Sequence, residues 1–317
     1  MRHRFGPPAV VEVGEVDQPE LTDDGVLVPV RAASLNRGDW YAVTGTPYVG
    51  RPQMGIRRPR EPLLGTDFAG TVEAVGRDVT HIRPGEEVFG GRSGALAEVV
   101  CARKGYAKKP ANVSFEEAAA VPVAALTALQ ALRDKGGLRP GQGVLVNGAS
   151  GGVGTFAVQI AKALGAGEVT GVCRTENVEL VRSLGADHVL DHTREDFADG
   201  GRRYDLIVDV AGDRSWRAYK RVLERDGTLV LVGGPINRVL GPLGHIGRML
   251  AAGLLGRRSV VFFIAKFNLP DMETLRELVE SGRVKPVVER RYELAEIADA
   301  FRYLGEGHPR GKVVVTV

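Results

Sequence analysis

The sequence predicts an α/β protein: a doubly wound, six-stranded parallel sheet joined to a smaller β-rich unit. Three observations carry this. From residue 116 onward, apolar strand-like runs alternate with helical stretches. Before that point, short β-like runs are broken by Gly and Pro. Between the two textures' cores lies a glycine-rich turn, "NGASGGVG" at 147–154, which joins a Val-Leu-Val run to a helical segment.

In chain order, β-like runs fall at 25–36, 70–76, 83–90 and 95–102, a spacing that suits a small barrel or sandwich. Residues 114–132 read as helical, with Ser114 as N-cap and Glu117 completing a capping box. Pro122 must break or kink that helix. Strand candidates then follow at 144–147, 168–173, 188–190, 204–209, 227–232 and 259–264. Helical stretches at 153–164, 176–183, 214–223 and 239–253 separate them. Repeated alternation of this kind argues for a parallel sheet, and six strands complete a dinucleotide-binding fold. The tail holds two further helices and a closing strand, "GKVVVTV", expected to fold back onto the first unit. The expected domains are therefore 1–115 with 266–317, and 116–265.

Composition excludes several classes. Net charge is +3, from 42 basic and 39 acidic residues, and the basic residues are scattered, so nucleic acid is not an expected partner. The 55–62 stretch, "GIRRPREP", reads as a solvated loop. No apolar run is long enough for a membrane span, and the start lacks the apolar region of a secretory signal. Two cysteines, Cys101 and Cys173, give no disulfide framework, so a reducing, cytoplasmic setting is expected.

The glycine turn has a chemical reading. One glycine permits the tight turn, one lets backbone approach a pyrophosphate, and one lets helix and strand pack closely. Gly148, Gly151 and Gly154 have that role here in a G-x-x-G-x-x-G spacing, with Ala149 where G-x-G-x-x-G would place its first glycine. Ser150, Gly152 and Val153 complete the phosphate-facing segment, at the helix N-terminus that attracts anions. An NAD site usually has an acid about 20 residues on, at the end of the second strand. Cys173 and Arg174 stand there instead, followed by Thr175 and Asn177. Arg174 suits a 2′-phosphate, so NADP(H) is favoured; Glu176 keeps NAD(H) as the lesser alternative.

With "VLVNGASGGVGTFAVQIAKALGA" and "SLGADHVLDH", the chain resembles the zinc-less branch of the medium-chain dehydrogenase/reductase superfamily, the quinone oxidoreductase-like proteins. "SLNRGDWYAVTG", "LLGTDFAGTVEAVG", "RPGEEVFG" and "GKVVVTV" fall in family order, so the likeness runs almost the whole chain. The resemblance implies a GroES-like β-barrel catalytic domain interrupted by a Rossmann domain, and a homodimer through the strand near Val260 and Ile264. It places Asn36, Thr66 and Val123 where zinc-using relatives carry Cys, His and Cys, so no metal site is expected. It offers Asn36 and Tyr41 as active-site groups; Tyr41 reads equally as a donor to a substrate carbonyl or as packing. Asp67 matches an acid beside the former zinc site. Thr127 matches a threonine near the nicotinamide amide, and His192 a tyrosine near the adenosine phosphate. Val210 and Ala211, with Val232 and Gly233, end the fourth and fifth strands and are expected to line the nicotinamide. Lys312 is expected to reach the cofactor phosphates.

Hydride transfer to a simple ketone leaves a localised alkoxide that needs a Lewis acid or a good proton donor. The zinc ligands and the Y-x-x-x-K pair of short-chain reductases are both absent from the sequence. A quinone or α,β-unsaturated carbonyl spreads its product charge and asks for less. The expectation is an NADPH-dependent, zinc-independent reductase of such small electrophiles. The alternatives are a zinc-free alcohol dehydrogenase and an NADPH-binding protein with a regulatory role.

Overall fold

A computed structural model describes residues 1–212, 214–235, 238–254, 257–307 and 309–317. The chain forms two units. The first comprises Met1–Leu126, Lys266–Gly282 and Pro286–Val317; the second comprises Thr127–Ala265 and Arg283–Lys285. The boundary expected after residue 115 thus falls after Leu126 instead. The reason is burial: Ala118, Ala119, Ala120 and Val121 are all fully buried, and the backbone N–H of Val123 donates to Asp67.

In the first unit, β1 (Val26–Leu35) is the spine. Its first residues pair antiparallel with β3 (Ala74–Val75) and β5 (Val99–Ala102). Its later residues pair with β2 (Asp67–Thr71) and with β14 (Lys312–Thr316). A register shift between Val30 and Ala32 lets one strand serve both groups, as a bulge does. β4 (Glu87–Gly91) and β6 (Tyr106–Lys108) extend from β2, and β13 (Val288–Glu293) runs parallel to β14. The core holds Val26, Val28, Phe68 and Tyr106 at one end, and Leu35, Phe301, Val313 and Val315 at the other. Ser114 and Glu117 form the expected capping box on α3 (Phe115–Ala119), and Pro122 opens α4 (Pro122–Leu129).

The second unit is a six-stranded sheet. Its strands are β7 (Gly143–Asn147), β8 (Glu168–Cys173), β9 (His188–Asp191), β10 (Tyr204–Asp209), β11 (Leu223–Leu231) and β12 (Ser259–Phe262). The order is β12-β11-β10-β7-β8-β9 and every neighbouring pair is parallel. Order therefore reverses between β7 and β10, the switch point at which such sheets bind ligands. Two bounds differ from expectation by more than one residue. β11 begins at Leu223 because that residue is fully buried and pairs with Tyr204 before the register shifts. β12 stops at Phe262, and Ile264 is 77% exposed. No helix among the described residues is long and apolar enough to cross a membrane.

Candidate active site

The glycine turn sits at the end of β7, on the sheet's central strand. Gly148 has φ +88°, a left-handed conformation that favours glycine. Gly148 and Ala149 both donate their N–H to Val172 O, at 3.1 and 2.9 Å. Gly151 then caps α5 (Gly152–Ala163). A Cβ on Gly154 would lie 2.0 Å from Gly148 O, so the helix rests directly on the turn. A Cβ on Gly151 would meet nothing closer than 3.6 Å. That glycine leaves open space beside the first N–H groups of α5, which by helix geometry lack intrahelical acceptors. The residues fit a dinucleotide pyrophosphate. Ala149 departs from expectation: it is fully buried against Gly171, with its N–H spent on Val172, so it packs the turn instead of facing a ligand.

The loops that follow β7 and its neighbours share one device. Val210 and Ala211 donate their N–H groups to Asn147 O at 2.9 and 3.3 Å. Val232 and Gly233 donate theirs to Asp209 O at 2.9 and 3.2 Å. Each loop is thus stapled to the last carbonyl of the adjoining strand. Buried Asp209 accepts from Asn147 Nδ2 and from Gly212 N, both at 2.9 Å. A Cβ on Gly212 would lie 2.2 Å from Gly234 Cα, and one on Gly233 2.0 Å from Val210 O. The loops after β10 and β11 therefore meet backbone to backbone. Thr127 lies half-buried on α4.

At the end of β8, Arg174 is half-buried and precedes the short turn Thr175–Asn177. Cys173 is corrected: its side chain is 3% exposed, and burial pushes the thiol up to about 11, so it is inert core. Asn177 is buried and ties this turn to the glycine loop, donating to Ser150 Oγ at 3.2 Å. His192 is exposed, and its N–H donates to Cys173 O at 3.0 Å. Sequence reasoning missed Asp191, at the end of β9. It accepts from Thr175 Oγ1 at 2.5 Å, Thr193 Oγ1 at 2.7 Å and Thr193 N at 3.0 Å. Those hydroxyls, with Arg194 nearby, hold its carboxyl down at about 2. The available signal was a strand-end acid followed two residues later by Thr193.

The first unit holds a second cluster, built from charge. Asp67 is fully buried. Its Oδ2 accepts from Ser34 Oγ at 2.9 Å, Asn36 Nδ2 at 2.8 Å and Lys312 Nζ at 3.2 Å, and its Oδ1 from Val123 N at 3.0 Å. Lys312 Nζ also donates to Asn36 Oδ1 at 2.5 Å. The expectation for Lys312 is therefore overturned: it is 3% exposed, and its ammonium points into the protein, not toward a phosphate. Both ends of the Asn36 amide are held, so its orientation is set. Buried Asp39 accepts from Asn36 N at 2.8 Å and from Thr66 Oγ1 at 3.4 Å. Burial first, and the charge of Asp67 besides, push its carboxyl up to about 6. Tyr41 is half-buried on α1 (Arg37–Thr44); burial raises its hydroxyl pKa against the pull of Arg37, so it stays a neutral donor.

Zinc does not fit this cluster. Asn36, Thr66 and Val123 supply no thiolate or imidazole, and Asp67 is committed to four donors. Among the described residues, no group of three His, Cys, Asp or Glu side chains could hold a metal ion.

A parallel sheet with a phosphate-fitting glycine turn in one unit, and a polar cluster in the β-rich other, define the class: a nicotinamide-dependent oxidoreductase of two domains. Comparison with known proteins agrees. Residues 22–131 match the alcohol dehydrogenase GroES-like domain and residues 184–315 the zinc-binding dehydrogenase domain. Quinone-oxidoreductase QR1 of Triphysaria versicolor, a chloroplastic protein, is 32% identical over 95% of this chain and 92% of its own. The 2-methylene-furan-3-one reductase of Solanum lycopersicum is 34% identical over 94% of this chain and 73% of its own. The Escherichia coli quinone oxidoreductase complexed with NADPH superposes with TM-score 0.82 at 27% identity, covering 100% and 98% of the two chains. The chain belongs to the medium-chain dehydrogenase/reductase family and is an NAD(P)H oxidoreductase akin to its quinone and enone reductases.

Proposed function

We propose that the chain is an NADPH-dependent, zinc-independent reductase of quinones or α,β-unsaturated carbonyls. One observation carries the reading: where related enzymes bind a metal, this chain has a closed Lys312–Asp67–Asn36 network with no thiolate or imidazole, its one carboxylate already committed to four donors. What it offers an acceptor is neutral hydrogen-bond donors, Tyr41 O–H and the remaining N–H of Asn36. Neutral donors suit an acceptor whose product charge is delocalised, since they need not neutralise a localised alkoxide.

The residues that would hold the dinucleotide are Gly151, Gly152, Val153 and Gly154 at the pyrophosphate, with Ser150, Asn177, Arg174, Thr175 and His192 toward the adenosine. Thr127, Val210, Ala211, Val232 and Gly233 would line the nicotinamide. Bound there, the cofactor supplies a hydride. Arg174 favours the 2′-phosphate. Asp191 is the observation that favours NADH as a second reading, since a carboxylate near the ribose repels phosphate. Its oxygens are already engaged by the two threonines and offset by Arg194, so NADPH remains the choice.

We further infer a homodimer through β12, which pairs with β11 and ends the sheet order. A cytoplasmic setting rests on the two unpaired cysteines. The test of function follows NADPH and NADH oxidation with an ortho-quinone, a 2-alkenal and a simple aldehyde. Turnover of quinone or alkenal is expected; turnover of the aldehyde alone would defeat the reading. Light scattering of the wild type against Val261→Lys tests the dimer.

A further inference from the structure

We propose that a basic hollow in the first unit binds the negatively charged group of an acidic acceptor, a carboxylate-bearing enone or quinone. This rests on the reductase reading above and adds the substrate's charge to it.

The hollow has a volume of about 540 Å³, within the range of small-molecule sites. Its floor is Phe267. A Cβ on Gly91 would lie 2.0 Å from the Phe267 ring, and one on Gly105, at φ +77°, 2.6 Å from Phe267 Cβ. Two glycines at the ends of β4 and β6 thus stay bare so that one phenyl ring can lie across them. Around that apolar floor stand Arg92, Arg103, Lys104 and Lys266 against a single acid, Asp24. Asp24 is committed: Arg103 Nε donates to its two oxygens at 2.7 and 2.8 Å, and that contact holds its carboxyl below the usual range. Arg92 and Lys104 are exposed and have no ionic partner among the described residues. Cations on a concave wall with an apolar floor concentrate anions there.

The hollow also adjoins the Asp67 cluster. Gly91 stands opposite Asp67 in the β2–β4 register, and Arg92 N donates to Thr66 O at 2.7 Å. Thr66 in turn donates to Asp39. Its basic wall therefore begins one residue beyond the strand position that faces the buried carboxylate. An acceptor with an apolar, unsaturated body and an anionic end matches ring, cations and neighbourhood together.

The experiment compares 4-oxopent-2-enoate with neutral pent-3-en-2-one, in the wild type and in Arg92→Glu and Lys104→Glu. Both positions are exposed, so folding should be retained, and a melting curve checks it. In each variant kcat/KM for the carboxylate should fall about tenfold, with the neutral enone changed less than about twofold. Raising ionic strength should narrow the wild type's advantage for the anion. Equal changes for both enones, or none, would overturn the proposal. If neither enone is reduced with either coenzyme, the reductase reading fails, and the hollow is judged by binding of the saturated keto acid 4-oxopentanoate, titrated by NMR. Saturable binding lost in both charge-reversed variants upholds the hollow; absence of saturable binding in the wild type sinks it.

Discussion

The rim of the second unit and the cluster around Asp67 do comparable work by opposite means. The rim is made of backbone: glycines where an added Cβ would lie 2.0 Å from a neighbouring carbonyl oxygen, and amides stapled to strand-end carbonyls. The cluster is made of side chains, with buried Ser34, Asp67 and Lys312 hydrogen-bonded to one another and to the half-buried Asn36. A site made of backbone tolerates changes of side-chain chemistry but not of side-chain volume. A site of buried charges should behave the other way round.

The sharpest break is Lys312→Met. It leaves the Asp67 carboxylate buried without its cation and should cost about 3–5 kcal/mol of stability. Adding Asp67→Asn should recover much of that loss, and a double-mutant cycle by chemical denaturation measures the coupling. Loss of activity in Lys312→Met beyond its loss of folded protein would show that the amide of Asn36 has to be held.

Next comes pH. Asp39 has a folded-state pKa raised to about 6, above its unfolded value. The folded protein therefore binds the extra proton, and this group's contribution to stability falls as pH rises from about 4 through 6. At neutral pH the cost is on the order of 3 kcal/mol. Asp39→Asn should remove that component, so the difference between the two pH–stability curves isolates it. Asp191, held down at about 2, works in the opposite sense and loses its contribution only in strong acid.

On the backbone side, Gly154→Ala places a methyl where Gly148 O stands. It should cost about 1–3 kcal/mol, with NADPH affinity reduced in parallel, as read by fluorescence titration. The smallest expected effect is Arg174→Asp, which should weaken NADPH about tenfold, near 1.4 kcal/mol, while changing NADH little. Equal weakening of both coenzymes would remove Arg174 from the 2′-phosphate.

The same contrast explains what could be read from the sequence. The sheet was legible because its signals are local: apolar runs, helical spacing, and glycines at 148, 151 and 154 within seven residues. The capping box of Ser114 and Glu117 is equally local. Lys312 was misread because its partner Asp67 lies 245 residues away, and a lysine opening a strand resembles a surface cation. Asp191 escaped because acids were sought at the end of the second strand, whereas the third strand supplies this one to the same corner. For Ala149 and Cys173, only packing decides that both side chains turn inward.

The amide staples have a kinetic consequence. Because 148–149, 210–211 and 232–233 hang from carbonyls of adjacent strands, none of these loops can open without loosening its neighbour. A dinucleotide arriving there would meet a surface already shaped, so little ordering entropy would be lost on capture.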